Sequence, residues 1–139
     1  MSAVRPIRVD ATDFPLVVQT FDGKQTDQDV DEFLAQMSAV YARGEPFVTL
    51  THIRDYALIL SHVGRIGTHV KTLPRELCKA SALVVPLPTF RFILSSFYLV
   101  YVPPNPVVVF DHSGPAEDWV LQRMRDEGMR VPLGLKAAG

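Results

Sequence analysis

Between residues 80 and 110 the chain carries one charged side chain, Arg91, in 31 positions, and 20 of those positions are apolar. Such a stretch must be buried, must cross a membrane or must present an unusual surface. Its longest run between prolines, Thr89 to Val102, is 14 residues and contains Arg91, Ser95 and Ser96. A membrane span needs about 20 mostly apolar residues, so an integral span is excluded. Prolines cut the block into three parts. Ala82 to Pro86 (ALVVP) and Val107 to Phe110 (VVVF) read as short strands with both faces covered. In the middle part Phe90, Ile93, Leu94, Phe97 and Tyr101 share one stripe, which predicts a helix over 89–102.

The remaining sequence supplies elements in alternation. Val4 to Ala11 reads as an edge strand, Pro15 to Phe21 as a second strand, and Asp22-Gly23 as a turn. Thr26, with Asp29 three residues later, marks a helix start. Val30, Phe33, Leu34, Met37, Val40 and Tyr41 then follow at helical spacing, and Gly44 ends the helix. Phe47 to Ile53 (FVTLTHI) reads as an interior strand. From Ile59 an apolar phase of Val63, Ile66, Val70, Leu73 and Leu77 runs through Pro74, which predicts one long helix kinked there. Ser113 to Glu127 closes the order as a helix capped by Ser113 and ended by Gly128, with Ala116, Trp119, Val120 and Met124 inward. The order β-β-α-β-α-β-α-β-α predicts an α/β domain with a mostly parallel sheet and an antiparallel edge pair. A single domain accounts for residues 1–139, with its core over about 5–130 and a short tail over 131–139.

This order, together with the run Val109-Phe110-Asp111-His112-Ser113-Gly114-Pro115-Ala116-Glu117-Asp118-Trp119-Val120, resembles the SpoIIAA-like (STAS-like) superfamily, in particular its STAS/SEC14-type small single-domain proteins. The likeness covers roughly residues 14–128. It implies a mixed, mostly parallel five-stranded sheet flanked by four helices, and a regulatory, protein-binding role in a bacterial cytoplasm. Members of the superfamily often carry a phosphorylated Ser or Thr in a D-S-S/T-G-like turn. The matching stretch here, Thr51 to Ser61, lacks that turn, so the switch is not carried over.

The residues themselves offer little chemistry. One cysteine, Cys78, excludes a disulfide framework, and it reads as a packed thiol on the long helix. His62 and His69 are seven residues apart, about 10 Å along a helix, too far to share a metal. They read as part of a solvated flank, and Arg65 and Glu76 as part of a mixed-charge face. Asp111-His112-Ser113-Gly114 lacks the first glycine of a nucleophile elbow. There is no phosphate loop, and a net charge of −1 gives no electrostatic case for nucleic acid. The chain is therefore expected to be no enzyme and to need no cofactor. The N-terminus, without a secretory apolar run, points to the cytoplasm.

Two functions remain. The predicted helix 89–102 turns Phe92, Leu99 and Val102 outward with Tyr98 on the border, a face that would suit a homodimer or a partner protein. Burial inside the monomer would account for it equally. The alternative is a small apolar ligand or lipid, as the family resemblance implies. A pocket of that kind is expected at the carboxyl ends of the strands, near His52, Asp55 and Ser61, with Pro86–Thr89 and Asp111–Ser113 beside them.

Overall fold

The computed structural model describes residues 6–22, 24–54, 60–100 and 102–132, and only the backbone of Leu60 and Ser61. Five strands form one sheet in the order β1-β2-β3-β4-β5: β1 (Ile7–Asp10), β2 (Leu16–Phe21), β3 (Phe47–Ile53), β4 (Cys78–Val84) and β5 (Val107–Phe110). β1 pairs antiparallel with β2, and every other pair is parallel. Four helices complete the chain: α1 (Asp27–Ala42), α2 (Leu60–Val70), α3 (Pro88–Val100) and α4 (Ser113–Asp126). The protein is thus an α/β fold with a mostly parallel sheet. Among the described residues no helix is long and apolar enough to cross a membrane.

The local signals explain most element ends. Thr26 accepts from the Asp29 backbone N–H, and the Asp29 carboxylate accepts from the Thr26 N–H, closing a capping box at the start of α1. Gly44 and Gly128 both take φ +69°, the left-handed conformation that ends a helix at little cost to glycine. Pro88 opens α3, where its missing N–H has no intrahelical partner to lose. The start of α4 differs from expectation. His112 occupies the cap position without a side-chain hydrogen bond, and Ser113 is already helical.

The long kinked helix is not formed. α2 ends at Val70, and the chain tightens through Thr72 N–H to His69 O (2.9 Å) and Leu73 N–H to Val70 O (3.0 Å). The Thr72 hydroxyl also donates to the His69 carbonyl, at 2.6 Å. Pro74 then disfavours a helical Leu73, one short 3₁₀ turn follows over Arg75–Leu77, and β4 begins at Cys78. The strand expected over Ala82–Pro86 therefore starts four residues earlier, and Cys78 lies on the sheet rather than on a helix. The expected starts at Val4 and Ile59, the Gly23 turn, Tyr101 and the tail from Leu133 lie outside the described residues.

The two sheet faces are covered differently. α4 lies on one face, where Ala116, Val120, Leu121 and Met124 pack on Leu16, Val48, Leu50, Ala80, Ala82 and Val84. α1, α2 and α3 cover the other, with Val30, Phe33, Met37, Tyr41, Val63, Phe90 and Leu94 over Val17, Phe21, Phe47, Ile53 and Leu83. Alternation of side chains along each strand divides the residues between the faces. Alanines at 80 and 82 let α4 approach β4 closely, whereas the backbones of α2 and α3 stand farther from the sheet.

Candidate ligand cavity

The space left by that separation is a cavity of about 190 Å³ between the sheet and α1, α2 and α3. Its walls are mostly apolar, with Phe33 and Met37 from α1, Val63 and Ile66 from α2, and Leu94 and Phe97 from α3. Its floor is not. Gln19 on β2 stands opposite Thr51 on β3, and Thr49 on β3 stands opposite Ser81 on β4. The Thr51 hydroxyl donates to Gln19 Oε1 at 2.7 Å, and the Thr49 hydroxyl to Ser81 Oγ at 2.8 Å. Gln19 Nε2 points on to Met37 Sδ, at 3.0 Å. A row of polar groups thus crosses three strands in the middle of an otherwise apolar face, with Gln19, Thr49 and Thr51 all buried.

Cys78 joins this row through a bulge. Phe47 pairs with Cys78 but Val48 pairs with Ala80, so Lys79 is an extra residue on β4. The inserted residue brings Cys78 to the same face as Ser81, three positions on. Their side chains meet at 3.3 Å, and both line the cavity. Burial pushes the Cys78 thiol up, against the opposing effect of its hydrogen bonds to Ser81, Thr49 and the Ala80 backbone. A neutral, half-buried thiol is a packing group rather than a nucleophile.

Two loops border the cavity on the side of the amino-terminal ends of β4 and β5. Lys71 and Arg75 come from the connection after α2, and Pro103, Pro104 and Asn105 from the connection before β5. Lys71 and Pro104 are the exposed residues of the lining, so the cavity opens between these loops. The loops are tied together. Arg75 Nη2 donates to the Val102 carbonyl at 2.7 Å, and Asn105 Nδ2 donates to the Cys78 carbonyl at 2.9 Å.

The histidines of α2 are not a solvated flank. His62 is 3% exposed, and its Nε2 lies 3.2 Å from Asp27 Oδ1 on α1. His69 lines the cavity, with Nε2 2.9 Å from Ser38 Oγ, also on α1. Arg65 pairs with Asp27 at 3.6 Å and with Asp31, completing a polar seam between the two helices. Glu76 lies apart from this seam, in the 3₁₀ turn. Among the described residues no group of three His, Cys, Asp or Glu side chains is placed to hold a metal ion.

The pocket expected at the carboxyl ends of the strands is a separate feature. Around His52 there is a wider, more open depression of about 630 Å³, lined by Arg54, Pro86, Arg91, Asp111, His112 and Ser113 among others. Burial, and then the nearby Arg54, hold the His52 imidazole below its usual pKa. Asp55 and the Ser61 side chain lie outside the described residues, so only His52 of that expected set has a described place. The parallel strands leave their polar ends there, whereas the cavity under α1–α3 runs from Phe21 and Ile53 toward an opening at the amino-terminal ends of β4 and β5.

The outer face of α3 exposes Phe92 (74%), Leu99 (81%) and Val100 (72%), with Val102 (67%) just beyond. Arg91 is turned back, donating from Nη1 to the Val85 and Pro86 carbonyls at 3.1 and 2.9 Å. Tyr98, expected beside Phe92 and Leu99, instead lines the cavity and packs edge-on against Phe97, with ring centroids 5.1 Å apart.

Fold and site together define an α/β protein with a part-polar cavity under three helices and an apolar outer surface on one of them. No family model, curated protein or solved structure matches the chain.

Proposed function

We propose that this chain is a non-catalytic, STAS-like binding module of the cytoplasm that holds one small, largely apolar ligand between the sheet and α1–α3. The observation that carries this reading is the buried polar row Gln19–Thr51 and Thr49–Ser81 on the floor of a 190 Å³ cavity. A cavity in a well-packed core forfeits dispersion contacts, and buried hydroxyls there favour a fold only if paired. Apolar walls with a few convergent polar groups are the usual composition of a ligand site. A cavity of roughly 150 Å³ accepts a benzene-sized molecule, so a ligand of about one ring or a short chain fits. The location differs from the carboxyl-end pocket anticipated from the strand order, while the ligand class is the same.

Calorimetric titration with a panel of small apolar molecules tests this reading. Binding is expected for the wild type and is expected to be lost in Val107→Phe, which adds a ring to the cavity wall. Binding that survives that substitution unchanged would place the ligand elsewhere.

A second reading concerns the outside of α3. Its exposed face of Phe92, Leu99 and Val100 carries no charge, because Arg91 is tied inward. An uncharged surface is best matched by another one, so we propose a second copy of this chain as the occupant, packed α3 against α3. Light scattering is expected to give a dimer for the wild type and a monomer for the double variant Phe92→Asp/Leu99→Lys. A monomeric wild type would refute it.

A further inference from the structure

The residues lining the cavity include two cations, Lys71 and Arg75, and no Asp or Glu. Both cations stand at the opening, in the connection between α2 and β4. Arg75 is half-buried, held by the Val102 carbonyl, and among the described residues no carboxylate pairs with it. Beside it lie two phenols. Tyr41 packs against Phe47, which pairs with Cys78, so the phenol stands at this end of the cavity, within the fields of Cys78, Arg75, Tyr98 and the Glu76 carboxylate. Both phenol side chains line the cavity, and neither hydroxyl is among the buried polar atoms left without a partner, so both reach its open space. Burial pushes both phenols up, Tyr98 to about 12, which keeps them as neutral O–H donors.

A half-buried guanidinium with donors to spare and two O–H donors that reach the same apolar chamber suit an acceptor that carries negative charge. We propose that the ligand is a small monocarboxylate with an apolar tail, a short-chain or aryl carboxylate. Its head is held by Arg75, Tyr41 and Tyr98, and its tail lies among Phe33, Leu83 and Leu94. Lys71 at the rim adds long-range attraction. This inference rests on the cavity being a ligand site, and it adds the charge and orientation of the ligand.

The test is calorimetry of the full chain with octanoate and phenylacetate against their neutral counterparts octanol and 2-phenylethanol. Charge-assisted hydrogen bonds are about twice as strong as neutral ones, so the carboxylates are expected to bind roughly tenfold or more tighter than the alcohols. Arg75→Gln is expected to weaken the carboxylates roughly tenfold more than the alcohols, and the alcohol binding that remains shows that the variant is folded. Tyr98→Phe is expected to weaken the carboxylates by a smaller factor. Alcohols binding as tightly as carboxylates would overturn the carboxylate assignment and leave the cavity reading standing. Arg75→Gln weakening both classes equally would do the same. If none of the four compounds binds, both readings fall.

Discussion

The two faces of the sheet are built to different ends, aromatic-rich under α1–α3 and small or aliphatic under α4. Under α4 the strands β2, β3 and β4 contribute small or aliphatic residues, from Leu16, Val48 and Leu50 to Ala80 and Ala82, and Ala116, Val120 and Met124 are fully buried against them. Under α1–α3 the same strands contribute Gln19, Thr49, Thr51, Ser81 and Cys78, and aromatic residues hold the helices off. Adjacent residues of one strand therefore belong to a closed core and to an open one. The comparison separates what the fold needs for stability from what it keeps for binding.

Truncation gives the largest expected contrast. Met124→Ala empties a fully buried position and is expected to cost about 2–5 kcal/mol in urea unfolding. Met37→Ala, on the other face, is expected to cost less, because the atoms around Met37 already border empty space. An equal loss at both positions would break the comparison.

Enlargement should show the same asymmetry in one strand. Ala82→Leu forces a larger side chain under α4 and is expected to destabilise by about 1–3 kcal/mol. Ser81→Leu, its neighbour, projects into the cavity. It is expected to cost less stability and to abolish ligand binding, as read by denaturation and calorimetry side by side. If Ser81→Leu proves the more destabilising of the two, the cavity is not available space.

Thiol chemistry sharpens the same point. Cys78 is half-buried, neutral and turned to the cavity, so a maleimide should label it more slowly than a free thiol at pH 7.5. Bound ligand should slow it further. Labelling at the rate of an unfolded control would contradict the placement.

The smallest effect expected is from pH. His52 has its folded pKa below the ordinary 6.5, so the unfolded chain takes up its proton first. Stability is then unaffected above about pH 6.5, declines as pH falls below it, and stops declining once the folded pKa is passed. His52→Gln is expected to flatten the urea midpoint between pH 7 and pH 5 relative to wild type, without touching ligand binding.

The sequence carried the fold further than the site. β3 spans Phe47–Ile53 as its pattern predicted, and Thr26 and Gly44 bound α1 as their residue types require. The failure came between Ile59 and Cys78. Apolar residues in helical phase continue through Leu73 and Leu77, and periodicity alone cannot tell a helix from a helix, a turn and a strand start. Pro74 marked the break, but the kink reading absorbed it. That error placed Cys78 on a helix and hid the bulge that turns it toward Ser81. The signal for the cavity was present in FVTLTHI and LVVQTF. Thr49 and Thr51 are two apart on a strand expected to be interior, and so are polar on one face only. The matching Gln19 on β2 and Ser81 on β4 become meaningful only once register is known. The outer face of α3 was legible because helical phase fixes direction, and its exception, Tyr98, lay on the border where phase decides least.

Methionine methyl NMR tests the central claim most directly, because Met37 borders the cavity and Met124 lies under α4. With ¹³C-methyl-labelled protein titrated with octanoate, the Met37 signal is expected to shift saturably while the Met124 signal stays in place. A Met37 signal that does not move, or one that moves together with Met124, would contradict the account.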